Sequence, residues 1–207
     1  MTRSRGFWNL IANRYSRQAI ADPATYQAKL AQTRALMHPD MDVLEFGCGT
    51  GSTALLHAPY VKQITGIDYA PKMIAIANDK VGPDSNAAFH TSTLDDWAAA
   101  DASYDMILGL NILHLLPDHR GAIAIAQRLL KPGGYLVTST ACLGDMGGIV
   151  KHLLPVGSAL RILPYVACFS QAELETDLQS AGFTVLQSQR PAPLQGVFHI
   201  SQKPRQA

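Results

Sequence analysis

The sequence predicts an α/β fold of the doubly wound kind, a Rossmann-like sheet with helices on both faces, and three observations carry that reading. From residue 42 onward, short apolar segments alternate with stretches of helical periodicity, the pattern of parallel strands joined by right-handed crossovers. The first apolar segment, Val43-Leu44-Glu45-Phe46, runs straight into Gly47-Cys48-Gly49-Thr50-Gly51, and the next ends on Asp68. At 207 residues and 47% apolar content, the chain can bury one core and is too short for two ordinary domains. We therefore read residues 1–207 as a single domain.

Two helices precede the first strand, within residues 1–38. Phe7, Ile11 and Tyr15 share one helical face; Asp22-Pro23 is a good cap and first-turn pair, after which Tyr26, Leu30, Thr33 and Met37 share another. Strands are expected near 42–47, 62–67, 86–91, 104–110, 134–140, 183–188 and 196–202. The glycine loop opens a helix near Ser52 to Ala58, and a further helix begins around Pro71. Leu129-Leu130-Lys131-Pro132-Gly133-Gly134-Tyr135-Leu136-Val137 reads as a helix end, a Pro-Gly turn and a new strand.

Ser170-Gln171-Ala172-Glu173 has the form of a capping box, Leu174, Leu178 and Ala181 follow on one face, and Gly182 supplies the stop. The last two strands are joined by a turn containing Pro191, Pro193 and Gly196, too short for a crossover helix, so the last strand is antiparallel. Residues 141–169 form an insertion far longer than a usual connection, apolar and poor in charge. With the N-terminal helices it is either a lid over an acceptor site or an extra hydrophobic layer or dimer contact.

Composition narrows the function classes. A formal charge of +1 provides no broad field for phosphate backbones, and the basic first helix, with Arg3, Arg5, Arg14 and Arg17, reads as a solvated face, so no nucleic-acid partner is expected. Cys48, Cys142 and Cys168 lack metal-type spacing and do not suggest a secreted disulfide framework, which fits a reducing cytoplasm. The N-terminus has no apolar run of signal-peptide length, and Lys151 and Arg161 interrupt the most hydrophobic later stretch, so no membrane span is expected. His114 and His119 show no metal-ligand spacing, and no metal is assigned.

The chemistry lies at the strand ends. A chain that turns sharply off a strand and lets its backbone touch a ligand needs glycine, which has no Cβ and reaches positive φ, and Gly47, Gly49 and Gly51 fit that need. Asp68 follows Gly47 by 21 positions, where a carboxylate can accept both ribose hydroxyls of an adenosine group. Its bland alternative is a surface cap of the helix near Pro71. Two further segments complete the pattern: Phe89-His90-Thr91-Ser92-Thr93-Leu94-Asp95-Asp96 and Tyr104 through His114.

In this order and spacing, the motifs resemble the class I S-adenosylmethionine-dependent methyltransferases, particularly the small-molecule group that includes quinone-biosynthesis enzymes. The resemblance is close over residues 40–140 and looser beyond. It implies a seven-stranded sheet of order 3-2-1-4-5-7-6 and S-adenosylmethionine above the carboxyl ends of strands one to four. A nicotinamide-binding enzyme would carry its third glycine where this chain has Ser52.

The resemblance implies roles for particular residues. Gly47, Cys48, Gly49 and Gly51 would hold the methionine portion by backbone contact, with Glu45 bonding its amino group and Asp68 the ribose. Tyr69 and Met73 either sandwich the adenine ring or pack their helix. Ser92, Thr93 and Leu94 match the segment approaching the adenine edge; many relatives place Asp where this chain has Ser92, and Asp95 is the substitute. Gly109, Leu110 and Asn111 end the fourth strand beside the expected sulfonium centre, and Tyr15 joins the cofactor-binding set. Methyl transfer needs a protein base only where the acceptor loses a proton, for which Tyr15, His114 and His152 are candidates, His114 first.

The expectation is thus methyl transfer to a small, lipophilic organic acceptor by a monomer or homodimer. The alternatives are a SAM-binding sensor or partner subunit without transfer activity, and an NAD-dependent oxidoreductase.

Overall fold

The computed structural model describes residues 2–145, 165–192 and 195–205. Its strands are β1 (Asp42–Phe46), β2 (Gln63–Asp68), β3 (Ala87–Thr91), β4 (Tyr104–Leu110), β5 (Leu130–Thr140), β6 (Thr184–Gln189) and β7 (Val197–Gln202). They form one seven-stranded sheet in the order β3-β2-β1-β4-β5-β7-β6. β1 pairs in parallel with β2 and β4, β2 in parallel with β3, and β7 runs antiparallel to β5 and β6. The order is the one the resemblance implied, and the reversed last strand is the one the short preceding turn implied. The chain divides into two compact units, Met1–Ala98 with Tyr104–Leu108, and Ala99–Ser103 with Gly109–Ala207.

The first unit carries helices α1 (Thr2–Ser16), α2 (Pro23–Arg34), α3 (Ser52–His57) and α4 (Pro71–Asp79). α2 starts as its sequence requires: the Asp22 carboxylate accepts the Thr25 N–H at 3.0 Å, and Pro23 occupies the first turn, where a missing N–H costs nothing. It ends at Arg34, so Met37 does not extend its face as the periodicity suggested. Tight turns, with Leu36 N–H on Thr33 and Met37 N–H on Arg34, break the helical register first. β1 lies between β2 and β4 and buries Val43 through Phe46, which is why its sequence is a continuous apolar run. Glu45 is the one charged residue in that run.

The second unit carries α5 (His119–Leu129) and α6 (Gln171–Ser180). α6 begins with both halves of the capping box, Glu173 N–H on Ser170 Oγ at 3.1 Å and Ser170 N–H on Glu173 Oε2 at 2.7 Å. It ends with Gly182 at φ +91°, where the Gly182 N–H bonds the Gln179 carbonyl and the Phe183 N–H the Leu178 carbonyl, capping two of the last carbonyls.

β5 departs from expectation. No Pro-Gly turn separates it from α5; the strand begins at Leu130 and runs through Pro132, Gly133 and Gly134. The cause is long-range pairing: Gly133 donates to the Lys203 carbonyl, and Lys203 donates to Gly134, both at 2.9 Å. Of the expected 141–169 insertion, residues 146–164, including His152, lie outside the described residues.

Candidate functional site

In the first unit the glycine loop leaves β1 with φ +65° at Gly47, +55° at Gly49 and +73° at Gly51, the left-handed backbone that the sequence pattern demanded. Gly51 caps α3 without any side-chain bond to its first turn. The loop is held by its own backbone: the Cys48 N–H bonds the Ile67 carbonyl and the Gly51 N–H bonds the Cys48 carbonyl, both at 3.0 Å. Cys48 itself is buried, and burial followed by the nearby carboxylates raises its thiol well above the ordinary range, so it is an inert wall of the loop.

Phe89 and Gly66 form the floor, and the sequence reading missed both. A Cβ on Gly66 would fall 2.5 Å from Phe89 Cδ1, and one on Gly51 would fall 2.7 Å from Phe89 Cζ. The available signal was a lone glycine inside the apolar strand Ile64 to Ile67, which marks a close approach.

Asp68 ends β2 and is only 8% exposed. Its Oδ1 accepts the Ala70 N–H at 2.8 Å and its Oδ2 the Gly49 N–H at 3.1 Å. Burial raises its pKa, and the two backbone donors pull against that rise by favouring the charged form.

Glu45 is 3% exposed and its Oε2 has no hydrogen-bond partner among the described residues. Burial, then the charge of Asp68, pushes its carboxyl up to about 8. A buried carboxyl oxygen without a donor is costly and calls for a cationic or donor group to complete it.

Tyr15 stands over the loop, with Cε1 3.7 Å from where a Gly49 Cβ would sit, and Trp8 meets its ring edge-on at 6.1 Å between centroids. Surrounding protein, then Glu45 and Asp68, raise the phenol's pKa, although 44% of the residue's surface stays open. Tyr69 is half-buried and hydrogen-bonded with Ser4; desolvation first and Asp68 second push its phenol up to about 12. Met73 is 2% exposed and packs with Ala12, Ala70, Trp8 and Ile76. Of its two readings, this packing is the one the contacts support.

After β3, the Ser92 N–H bonds the Asp68 carbonyl at 3.1 Å, continuing the strand pairing beside the site. The Ser92 hydroxyl is spent on the Thr93 carbonyl at 2.9 Å, and Thr93 Oγ1 donates to Asp96 at 2.7 Å. Leu94 is buried and Asp95 exposed.

The second unit holds the remaining candidates. Gly109 is buried, Leu110 half-buried, and Asn111 exposed with φ +58°, its N–H bonded to the Ser139 carbonyl at 2.6 Å. Asparagine tolerates that backbone better than most residues. His114 sits in the tight turn Leu113–Leu115, its carbonyl accepting the Ala167 N–H at 2.7 Å. Its Nδ1 is buried without a partner among the described residues, and desolvation lowers the imidazole to about 4. It is therefore neutral near pH 7. Among the described residues, no group of three or more His, Cys, Asp or Glu side chains could hold a metal ion, and no helix is long and apolar enough to cross a membrane.

Positive-φ glycines, a carboxylate fixed at the second strand end and an uncompensated carboxyl at the first suit a ligand with a ribose diol and an ammonium group. Comparison with known proteins points the same way. Residues 13–188 match the family model for a methyltransferase domain. The chain is 35% identical over 148 residues to 27-O-demethylrifamycin SV methyltransferase of Amycolatopsis mediterranei (strain S699), an alignment covering 68% of this chain and 53% of that one. It is 31% identical over 150 residues to ubiquinone biosynthesis O-methyltransferase of Xanthomonas axonopodis pv. citri (strain 306), covering 68% and 61%. The chain thus spans between half and two thirds of these relatives' own length. A solved S-adenosylmethionine-dependent methyltransferase from Mesorhizobium loti shares the fold with a TM-score of 0.73 at 17% identity, over 87% of this chain and 99% of that one. Since sheet order, glycine turn and family match coincide over the same stretch, the chain belongs to the class I S-adenosylmethionine-dependent methyltransferases.

Proposed function

We propose that this protein transfers the methyl group of S-adenosylmethionine to a small organic acceptor. The observation that carries the reading is the pairing of Glu45, buried with an oxygen that has no donor among the described residues, and Asp68, bonded by two backbone donors, at adjoining strand ends beside the glycine loop. Asp68 would accept the ribose hydroxyls, Glu45 the amino group, and the backbone of residues 47–51 the rest of the methionine portion. The Ser92-Thr93-Leu94 segment would meet the adenine edge, with Tyr69 and Tyr15 as flanking rings.

The cofactor supplies a methyl carbon already activated by positive sulfur, so the protein's task is positioning and exclusion of water. Tyr15 over the loop would shield the bound methionine portion from solvent. For a hydroxyl acceptor a proton must leave, and His114 would act as a hydrogen-bond acceptor for it. Its depressed basicity makes it a weak base near neutrality, so an acidic hydroxyl such as a phenol suits it better than an alcohol. The two relatives named above act, by their names, on 27-O-demethylrifamycin SV and in ubiquinone biosynthesis, which supports a small organic acceptor methylated on oxygen.

The test is formation of S-adenosylhomocysteine from S-adenosylmethionine across a panel of phenols, hydroquinones and aliphatic alcohols. Turnover with a phenolic member is expected. Tight S-adenosylmethionine binding with no turnover on any member would instead favour a binding protein without transfer activity.

A further inference from the structure

α4 spans the two halves of the cofactor cradle. Just before its first turn, the Ala70 N–H bonds the Asp68 carboxylate. At its other end Lys80, the C-cap residue, reaches back to the glycine loop, its Nζ donating to the Thr50 carbonyl at 2.8 Å and to Ser52 Oγ at 3.0 Å. The Thr50–Gly51 peptide is thereby gripped on both sides, because the Gly51 N–H bonds the Cys48 carbonyl.

Two physical arguments give this contact a purpose beyond folding. A cation beside the start of α3 opposes that helix's dipole, so α3 gains nothing from it. A loop of three glycines has more backbone freedom to lose than any other sequence, so its binding geometry depends on external ties. The ties from β2 hold the loop's first half, Cys48 to Ile67 and Gly49 to Asp68, while Gly51 is tied within the loop to Cys48. Nothing in the loop's own sequence restrains the Thr50 carbonyl, which is the atom that Lys80 takes.

We propose that Lys80 is a positioning residue for the cofactor, fixing the second half of the glycine loop from outside the site so that its backbone is pre-set for the methionine end of the ligand. The inference rests on the S-adenosylmethionine reading above. Lys80 is exposed, so its replacement is expected to leave the fold intact while the loop loses its restraint.

The experiment is calorimetric titration of S-adenosylhomocysteine into wild type, Lys80→Met, Lys80→Gln and Lys80→Arg, with a melting temperature for each unliganded protein. Lys80→Met is expected to raise Kd about tenfold, the size of re-ordering about one released backbone residue on binding, at an unchanged melting temperature. Lys80→Gln should fall between, and Lys80→Arg, which keeps a charged donor on a long stem, should stay within about threefold of wild type. Wild-type affinity in Lys80→Met overturns the proposal. So does a lowered melting temperature that Lys80→Arg fails to restore, since Lys80 would then serve the fold; if Lys80→Met does not fold, Lys80→Gln decides by the same two readouts. Failure of wild type itself to bind S-adenosylhomocysteine would strike the underlying cofactor reading, an outcome distinct from the others.

Discussion

Asp68 reaches back across the parallel pair β1–β2 to hold the N–H of Gly49, its Oδ2 lying 3.1 Å from that nitrogen. One side chain thus shapes the turn that would receive the methionine portion and stands ready for the ribose. Backbone donors face this carboxylate and favour its charged form against the burial that raises its pKa, while Glu45 nearby has an oxygen with no donor among the described residues. This asymmetry sorts the two acids before any ligand arrives.

Asp68→Ala is expected to weaken S-adenosylhomocysteine binding by about 1.5 to 3 kcal/mol, the usual loss for hydrogen bonds to a charged group. Calorimetry measures it directly. Unchanged affinity would refute the ribose assignment.

Glu45 makes both stability and affinity depend on pH. Burial is the larger cause and the charge of Asp68 on β2 the second, while Glu45 in turn raises the Cys48 thiol of the loop and the Tyr15 phenol of α1. Its folded pKa, about 8, lies above its ordinary value of 4.5, so the folded state binds the extra proton. That contribution to stability is complete below pH 4.5 and is lost as pH rises through 8, at up to about 1.4 kcal/mol per pH unit in between. Glu45→Gln, neutral at every pH, should therefore melt higher than wild type at pH 8, and the two should converge toward pH 5. Because an ammonium needs the carboxylate form, wild-type affinity for S-adenosylhomocysteine should fall by up to about tenfold per unit between pH 7 and pH 5.5. Parallel melting curves across the range would contradict this.

Gly49 and Gly51 both hold positive φ, but their surroundings differ. An alanine Cβ at Gly49 would make an ordinary 3.7 Å contact with Tyr15, while one at Gly51 would overlap Phe89 at 2.7 Å and Ala77 at 2.8 Å. Gly49→Ala should cost about 1 to 2 kcal/mol of backbone strain, and Gly51→Ala about 2 to 4 kcal/mol once overpacking is added. Urea denaturation of the two variants tests the ranking.

Local features were legible in the sequence wherever the physics is local. The Ser170/Glu173 box and Gly182 predicted both ends of α6 because capping is decided within six residues, and three glycines predicted three positive φ angles because no other residue adopts them as cheaply. The last strand's direction followed from a turn too short to cross over. The misses were non-local. β5 begins at Leu130 because Gly133 and Gly134 pair with Lys203, some seventy residues away, which no window around Pro132 reveals. Met73 has the right spacing from Asp68 for a ligand contact, yet α1 covers it through Ala12 and Trp8. Phe89 sat in plain view as a strand residue; its place under Gly51 and Gly66 depends on the pairing of β2 with β3.

The measurement bearing most directly on the central claim is calorimetric titration of S-adenosylhomocysteine and NAD, side by side, into the unmodified protein. The account predicts saturable one-to-one binding of S-adenosylhomocysteine and no saturable heat with NAD. Saturable NAD binding with none for S-adenosylhomocysteine would contradict it.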